Sequence, residues 1–191
     1  MKKILHISGS SSPIKCGVGY YTETLLEHLG PKTASTVLTS AGSGIKFVNV
    51  DRVLFSNGWK TRDIRSILKK IEEVQPDIIH IQYPAVGYKR QLGINLLPLM
   101  IRLRFRKLDL IITLHEYYES AILGRIRNLV TVWFAKKIIV SNQLDKDSLP
   151  RYISRKTTII PIGSNISKQK QNRKTFHEII KVAGFDSNEP T

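Results

Sequence analysis

Cysteine is nearly absent from this chain of 191 residues, in which Cys16 is the only one. A single thiol cannot form a disulfide within the chain, and it excludes a zinc site built from several cysteines. Such a composition suits a reducing compartment. The sequence therefore predicts a cytoplasmic protein.

Long apolar runs are also missing. The two longest, 96–101 and 129–135, are far shorter than the roughly 18 residues that a spanning helix needs. The N-terminal Met-Lys-Lys has the charge of a signal peptide, but His6 and Ser8 interrupt the apolar stretch behind it. The sequence predicts neither secretion nor a membrane-spanning helix.

Acidic residues are scarce relative to basic ones. Asp and Glu total 15 against 30 Lys and Arg, which gives a formal charge of +15. This excess favours an anionic partner, which could be nucleic acid, an acidic lipid surface or a phosphorylated substrate, although it also fits a solvated basic surface. Aromatic residues are only 8% and no aromatic-basic RNA-binding motif is present, so we rank nucleic acid below a membrane surface.

Strand-like and helix-like segments alternate along the chain. The predicted strands are 3–8, 36–39, an extended stretch around 47–55, 77–82, 109–114, 138–140 and 157–161. The predicted helices are 18–29, 61–74, 91–107, 120–137, 145–152 and 175–183. We expect Thr61 to cap the second helix and Val130, Val132, Trp133 and Phe134 to be buried. The pattern predicts a single Rossmann-like, doubly wound α/β domain with a mainly parallel sheet.

A glycine-containing loop, Gly17-Val18-Gly19, lies between the first strand and the first helix. Glycine lets backbone N–H groups approach an anion at a helix N-terminus, so the loop is either an anion site or a tight turn without a ligand. A dinucleotide fingerprint would need a third glycine where Thr22 stands and an acidic residue at the end of the second strand. NAD is therefore disfavoured. A phosphate-binding Walker loop is excluded because no Gly-Lys-Ser/Thr follows.

Polar side chains follow two of the predicted strands. His115 and Glu116 end the strand 109–114, and ligands of open parallel sheets bind at such strand ends. A zinc helix would need a histidine where Glu119 stands, so we predict no metal site. We expect His80 to be a hydrogen-bonded core histidine. Gln82 and Tyr83, at the exit of its strand, are better placed to contact a polar ligand.

Cys16 is a weak candidate for a nucleophile. A phosphatase loop would place an arginine six residues after it, and Thr22 stands there instead. A single-domain enzyme built around residues 16–19 for a phosphate ligand would also lack an identifiable pair of base and nucleophile.

Five segments together resemble the N-terminal domain of GT-B glycosyltransferases, most closely the retaining family GT4. They are residues 13–22, 76–83, 113–116, 138–141 and 160–165. Each segment is weak evidence alone, but they occur in the family's order over residues 2–166. The resemblance implies two Rossmann-like domains that face a cleft, with the acceptor on the N-terminal one and the nucleotide sugar mainly on the other.

The resemblance also implies roles for particular residues. Gly17 and Gly19 would line the cleft beside the donor phosphates. The donor/acceptor cleft would also include Val18, Gln82, Tyr83 and Glu116. His115 would lie near the transferred sugar and orient one of its hydroxyls. Gly163 and Asn165 would belong to the turn before the interdomain linker. Where the family often has Pro-Asn-Gly, this chain has Pro161-Ile162-Gly163, which leaves a contact from the missing asparagine in question.

The resemblance divides the chain into a domain at 1–166 and a basic linker at 167–191 that would lead to a C-terminal donor domain, in cis or on a partner chain. We expect a UDP- or GDP-linked sugar as co-substrate, no metal, and a glycan or lipid-linked glycan as acceptor. On this view the isolated chain is inactive. Its basic surface suits the anionic inner face of the cytoplasmic membrane. The alternative is a non-enzymatic α/β module that binds nucleic acid or another polyanion.

Overall fold

The computed structural model of the protein describes residues 1–11, 13–42 and 47–162. The predicted helix at 175–183 and the predicted linker lie outside these residues. In the described part of the chain, seven strands form one sheet: β1 (Lys2–Ser8), β2 (Thr33–Ser40), β3 (Arg52–Ser56), β4 (Ile78–Tyr83), β5 (Asp109–Leu114), β6 (Lys137–Val140) and β7 (Thr157–Ile159). All pairings are parallel, in the order β3-β2-β1-β4-β5-β6-β7. The predicted doubly wound α/β fold is confirmed.

Within the described residues, six helices connect the strands: α1 (Gly17–Leu29), α2 (Ile64–Val74), α3 (Gly93–Arg104), α4 (Ile122–Trp133), α5 (Gln143–Ser148) and α6 (Arg151–Ser154). The chain leaves β1 toward β2 on one side, and after β3 it returns to β4 on the other side. Right-handed crossovers therefore place α1 on one face of the sheet and α2, α3 and α4 on the opposite face. The strand order reverses between β1 and β4, and this reversal marks the usual ligand crevice of such sheets.

The two faces of the sheet differ in character. Leu5, Ile7, Ile79, Ile81 and Leu110, all fully buried, supply part of the core beneath α2 and α3. The alternate positions are polar, because side chains of a strand point to opposite faces in turn. In register, His6 pairs with His80, and Ser8 pairs with Gln82, which in turn pairs with Thr113. These polar residues lie on the α1 side and are buried.

The prediction for the interior of α4 is wrong in part. Val132 is fully buried as expected, whereas Val130 is 42% and Trp133 is 51% exposed. The core-facing side of α4 is supplied by Asn128, Thr131 and Val132. The helix therefore carries a second apolar stripe on its outer side. The sheet does not cover this stripe, and the sequence alone does not reveal that.

Two helix boundaries also differ from the predictions. Thr61 does not cap α2: it begins a 3-10 turn, Thr61–Asp63, and the Lys60 N–H donates to the Asp63 carboxylate at 2.9 Å. The segment 145–152 is split into α5 and α6, since Pro150 keeps the preceding Leu149 in an extended conformation. Among the described residues, no helix has the length and apolar character needed to cross a bilayer.

Candidate functional site

A cleft of about 910 Å³ opens at the carboxyl edge of the sheet. It lies where the strand order reverses, beyond the ends of β1, β4 and β5, as expected for open parallel sheets. Its volume is in the range of small-molecule sites. The lining side chains of the described residues come from the loop before α1 and its first turn, the loop after β4, and the ends of β5, β6 and β7.

The first wall is the N-terminal end of α1. Cys16 has an extended backbone and is the last residue before the helix, and Gly17 and Val18 form its first turn along the cleft. Gly17 has open space around it, because a Cβ there would meet no atom within 4 Å. Its backbone is therefore accessible, and the dipole of a 13-residue helix favours an anion at this end.

Gly19 has a different function from Gly17. A Cβ at Gly19 would lie 2.9 Å from the carbonyl oxygen of Ser10, so glycine is needed for the helix to pack against the preceding loop. Gly19 is buried and does not line the cleft. The sequence grouped the two glycines as cleft residues, and the structure places only Gly17 there.

The loop after β1 is fixed by the loop after β4. Gly87 N–H donates to Ser10 Oγ at 2.8 Å, and Ser40 Oγ donates to the Gly9 carbonyl at 2.6 Å. The buried Tyr88 hydroxyl donates to the carbonyls of Ile7 and Gln82. These contacts hold the start of α1 in place before any ligand arrives, and preorganised donors are what an anion site requires.

His115 forms the second wall. It follows β5 directly, is 6% exposed, and its Nε2 lies 3.1 Å from Oε1 of Gln82. The ring of Tyr21 from α1 meets the imidazole edge-on at 5.3 Å between centroids. Burial lowers the pKa of His115 to about 4, and the buried Asp145 carboxylate opposes this shift in part. His115 is therefore neutral at pH 7.

The tautomer of His115 follows from its partners. Gln82 Oε1 can only accept, so His115 donates from Nε2 and keeps Nδ1 as an acceptor. The Gln82 amide nitrogen lies 3.3 Å from His80 Nε2, which Thr113 Oγ1 also approaches at 2.8 Å. The expected hydrogen-bonded core histidine at position 80 is confirmed, and it holds the Gln82 amide in one orientation.

Gln82 and Tyr83 do not lie in the cleft. Gln82 is fully buried beneath His115, and its contact with a ligand would be made through that imidazole. Tyr83 is on the opposite face of the sheet, where its hydroxyl accepts from Asn95 Nδ2 at 2.7 Å. The prediction that both residues line the cleft is corrected by this placement. Glu116 is exposed and lines the cleft, whereas Gly163 and Asn165 lie outside the described residues.

The charged lining residues that the structure describes are Lys89, Arg90 and Glu116. All three have a left-handed backbone, with φ of 48°, 54° and 57°. Such a conformation is uncommon for side chains with a Cβ, and it clusters at functional sites. Within the described part of the chain, no ion pair or side-chain hydrogen bond engages Lys89 or Arg90. The sequence signalled these two cations only as part of a basic surface.

Cys16 also lies in the cleft. Burial acts to raise the pKa of its thiol, but hydrogen bonds from the backbones of Val86, Gly19 and Val18 and from the Ser10 side chain lower the pKa below its ordinary value overall. The local environment therefore favours negative charge at this point, in agreement with an anion site at the start of α1. No cluster of three or more metal-ligating side chains occurs in the described residues.

No protein-family model matches the sequence, and no curated protein matches it significantly. Solved structures are similar in fold. A sucrose-phosphate synthase from Thermosynechococcus elongatus superposes with a TM-score of 0.59 over 96% of this chain and 99% of the other, at 13% identity. UDP-GlcNAc 2-epimerase from Methanocaldococcus jannaschii gives 0.55 at 13% identity over 83% of this chain, which spans 45% of the epimerase chain. At these identities the likeness shows a shared Rossmann-like α/β fold.

Proposed function

We propose that this chain is the acceptor-side domain of a glycosyltransferase that uses a nucleoside diphosphate sugar. The observation that carries the proposal is the pairing of two features across one cleft: the open N-terminus of α1 at Gly17 and the neutral His115 with a free acceptor nitrogen. One feature fits a diphosphate and the other a sugar hydroxyl. The resemblance of five sequence segments to GT-B enzymes and the similar folds of two nucleotide-sugar or sugar-phosphate proteins support it.

In this proposal the donor is a UDP- or GDP-linked sugar, and transfer to the acceptor hydroxyl retains the anomeric configuration without a metal. Negative charge develops on the departing diphosphate. The N-terminal dipole of α1 and the cations of Lys89 and Arg90 stabilise it. His115 accepts a hydrogen bond from a sugar hydroxyl through Nδ1 and thereby orients the sugar, since a ring with a pKa of about 4 carries no proton to donate from that nitrogen at pH 7.

Both walls of the cleft described above belong to this domain, and we propose that a donor-binding domain, in cis or on a partner chain, covers its open side. The acceptor is a glycan or a lipid-linked glycan. On this basis the 191-residue chain binds ligand weakly and transfers no sugar by itself. Turnover by the purified chain with a nucleotide sugar and a glycan acceptor would contradict this part of the proposal.

Ligand binding tests the rest directly. The isotopically labelled chain is titrated with UDP-glucose and GDP-mannose while amide and imidazole resonances are followed by NMR. We expect shifts concentrated at Gly17, Val18 and His115. Changes at the same amides with an oligonucleotide at low salt, and none with either nucleotide sugar, would instead favour the polyanion-binding module. The absence of any response at the cleft would contradict the assignment of Gly17, Val18 and His115 to the ligand site.

A further inference from the structure

Two neighbouring helices expose apolar side chains to solvent at the same spacing. The exposed side chains are Leu92, Leu96, Met100 and Leu103 along α3, and Ile122, Leu123, Ile126, Val130 and Trp133 along α4. We call this set the outer face. Along each helix the positions i, i+4, i+8 and i+11 recur, which is one continuous stripe at 3.6 residues per turn. Leu123 is 77% exposed and Ile126 is 53% exposed.

The outer face is separate from the core. Each helix has a second side that packs inward, formed by Ile94, Leu97 and Ile101 on α3 and by Asn128, Thr131 and Val132 on α4. Asn95 Nδ2 donates to Thr131 Oγ1 at 2.7 Å, which holds the two helices side by side. The two stripes therefore form one surface. A contiguous apolar surface of this kind on a protein marks an interaction site.

The two segments that carry the outer face contain basic residues and no acidic ones. Residues 91–108 and 120–144 contain no Asp or Glu. They contain eight basic residues: Arg102, Arg104, Arg106, Lys107, Arg125, Arg127, Lys136 and Lys137. Two of these are ion-paired, Arg104 with Glu72 and Lys136 with Asp109, whereas Arg106 and Lys107 have no ion pair within the described part of the chain. Arg106 and Lys107, which lie just beyond the end of α3, therefore leave uncompensated positive charge at the end of the α3 stripe.

We propose that the outer face docks the protein on an anionic lipid bilayer, with α3 and α4 lying in the plane of the membrane interface. Apolar side chains that enter the acyl boundary and cations that remain at the phosphate level are the two requirements for such docking. A second copy of the chain would bring like charges together across the interface. Nucleic acid would satisfy the cations but leave the apolar stripes unmatched.

This inference stands apart from the proposed function, since it uses none of the cleft residues. The two features are nevertheless adjacent in the fold. Arg90 lines the cleft two residues before Leu92, and α4 begins soon after Glu116 on the cleft rim. A bilayer beneath the outer face therefore lies close to one side of the cleft mouth, which suits an acceptor held in the membrane.

Tryptophan fluorescence provides a direct readout, because the chain has only two tryptophans. Trp59 is 1% exposed and its Nε1 donates to Ser40 Oγ, whereas Trp133 is 51% exposed within the outer face. We expect a blue shift of the emission when the full chain is mixed with vesicles of phosphatidylcholine and phosphatidylglycerol. Vesicles of phosphatidylcholine alone should produce little change. The substitution Trp133→Phe should remove the shift while binding persists.

Co-sedimentation with the same vesicles measures the binding. The double substitution Leu123→Ser with Ile126→Ser should lower binding to anionic vesicles by roughly tenfold or more, since two apolar side chains no longer enter the membrane. The control is Leu144→Ser on α5, a leucine that is 62% exposed and is not part of the outer face. Arg106→Gln with Lys107→Gln should weaken binding about tenfold. Lys32→Gln with Arg52→Gln removes the same charge at the starts of β2 and β3, on the other side of β1 in the sheet, and should have less effect.

Several results would overturn the proposal. One is equal binding to anionic and neutral vesicles, and another is an unchanged Trp133 emission on vesicle addition. Equal losses from the outer-face and control variants would show that general charge or hydrophobicity is responsible. A concentration-dependent dimer that Leu123→Ser and Ile126→Ser abolish, without vesicle binding, would assign the surface to a second copy. Circular dichroism of each variant verifies folding, and the fluorescence of the unmodified chain tests the proposal without any variant.

Discussion

The imidazole Nε2 of His115 donates to the side-chain oxygen of Gln82, 3.1 Å away, across two adjacent strands. This contact fixes which ring nitrogen carries the proton and leaves Nδ1 as an acceptor. It also connects the cleft to the buried His80 and Thr113. The tautomer that His115 presents to the cleft is thus determined by buried residues that do not line the cleft themselves.

His115 should remain neutral throughout the physiological range. Burial lowers the pKa of His115 to about 4, so we expect its imidazole resonances to show the Nε2-protonated form and to stay unchanged between pH 8 and 5.5. NMR of the labelled chain measures this directly. The substitution Gln82→Leu removes the acceptor and should change the tautomer signal of His115. A titration midpoint near 6.5 in the unmodified chain would contradict the assignment.

Acid should destabilise the fold through its buried histidines. Burial lowers the pKa of His6 to about 4 and of His80 to about 3, both from 6.5. The unfolded chain takes up these protons at a higher pH than the folded chain. The contribution of the two histidines to the free energy of unfolding is therefore complete above pH 6.5 and is lost as the pH drops toward 4. Each histidine contributes about 1.4 kcal/mol per pH unit in that window. Urea unfolding at pH 7.5 and 5 measures the loss.

His6→Leu should stabilise the protein. Both ring nitrogens of His6 are buried without a hydrogen-bond partner among the described residues, which costs about 1–2 kcal/mol. At pH 5 the variant should gain about a further 2 kcal/mol, from 1.5 pH units at about 1.4 kcal/mol each. The control is His28→Leu on the exposed side of α1, which should change stability by no more than about 0.5 kcal/mol. A loss of stability in His6→Leu would contradict the prediction, because it would show that the imidazole makes a stabilising hydrogen bond.

The sequence predicted the order of strands and helices and placed Gly17 and His115 at the same edge, because apolar runs and strand ends are local signals. It could not predict which neighbours each side chain meets. Gln82 and Tyr83 both stand at a strand exit, but strand alternation sends them to opposite faces. Applied to β1 and β4 together, that alternation would have revealed the buried polar layer containing His6.

The other differences arise from long-range packing. Trp133 has the spacing of a core residue, and only the position of α3 and the sheet shows that its side of α4 faces solvent. Lys89 and Arg90 occupy a left-handed turn that usually selects glycine or asparagine, so no local pattern predicts that they line the cleft. Such conflicts between local preference and observed structure are concentrated at functional surfaces.

The two glycines at the start of α1 should respond differently to substitution. Gly19→Ala brings a Cβ against the Ser10 carbonyl at 2.9 Å and should cost about 1–3 kcal/mol in unfolding free energy. Gly17→Ala meets no neighbour within 4 Å and should fold normally, with a gain of up to about 1 kcal/mol from helix propensity. The added methyl should nevertheless weaken nucleotide-sugar binding in the NMR titration. Equal stability losses in both variants would contradict the separate functions assigned to these glycines.

Cys16 should react with alkylating reagents at a lower pH than an ordinary thiol. Burial acts to raise the pKa of the Cys16 thiol, but the surrounding hydrogen-bond donors together outweigh burial and lower the pKa overall. The thiolate therefore forms at a lower pH than usual. As the only cysteine, it can be followed by mass spectrometry with iodoacetamide. The rate against pH should inflect below the value for the same chain in urea, and a nucleotide sugar in the cleft should slow the reaction. An inflection at or above the value in urea would refute the prediction.

Lys89 and Arg90 should lower the stability of the fold while they contribute to ligand binding. Replacing Lys89 or Arg90 with glycine relieves the strain of the left-handed backbone conformation and should raise the free energy of unfolding by about 0.5–1 kcal/mol. The same substitution removes a cation from the cleft and should weaken binding of a nucleoside diphosphate sugar. Gln75→Gly provides the matched control, because Gln75 has a φ of 48° at the end of α2, outside the cleft lining. It should gain similar stability and keep its ligand affinity. If Lys89→Gly and Arg90→Gly also keep full affinity, these cations do not bind the diphosphate.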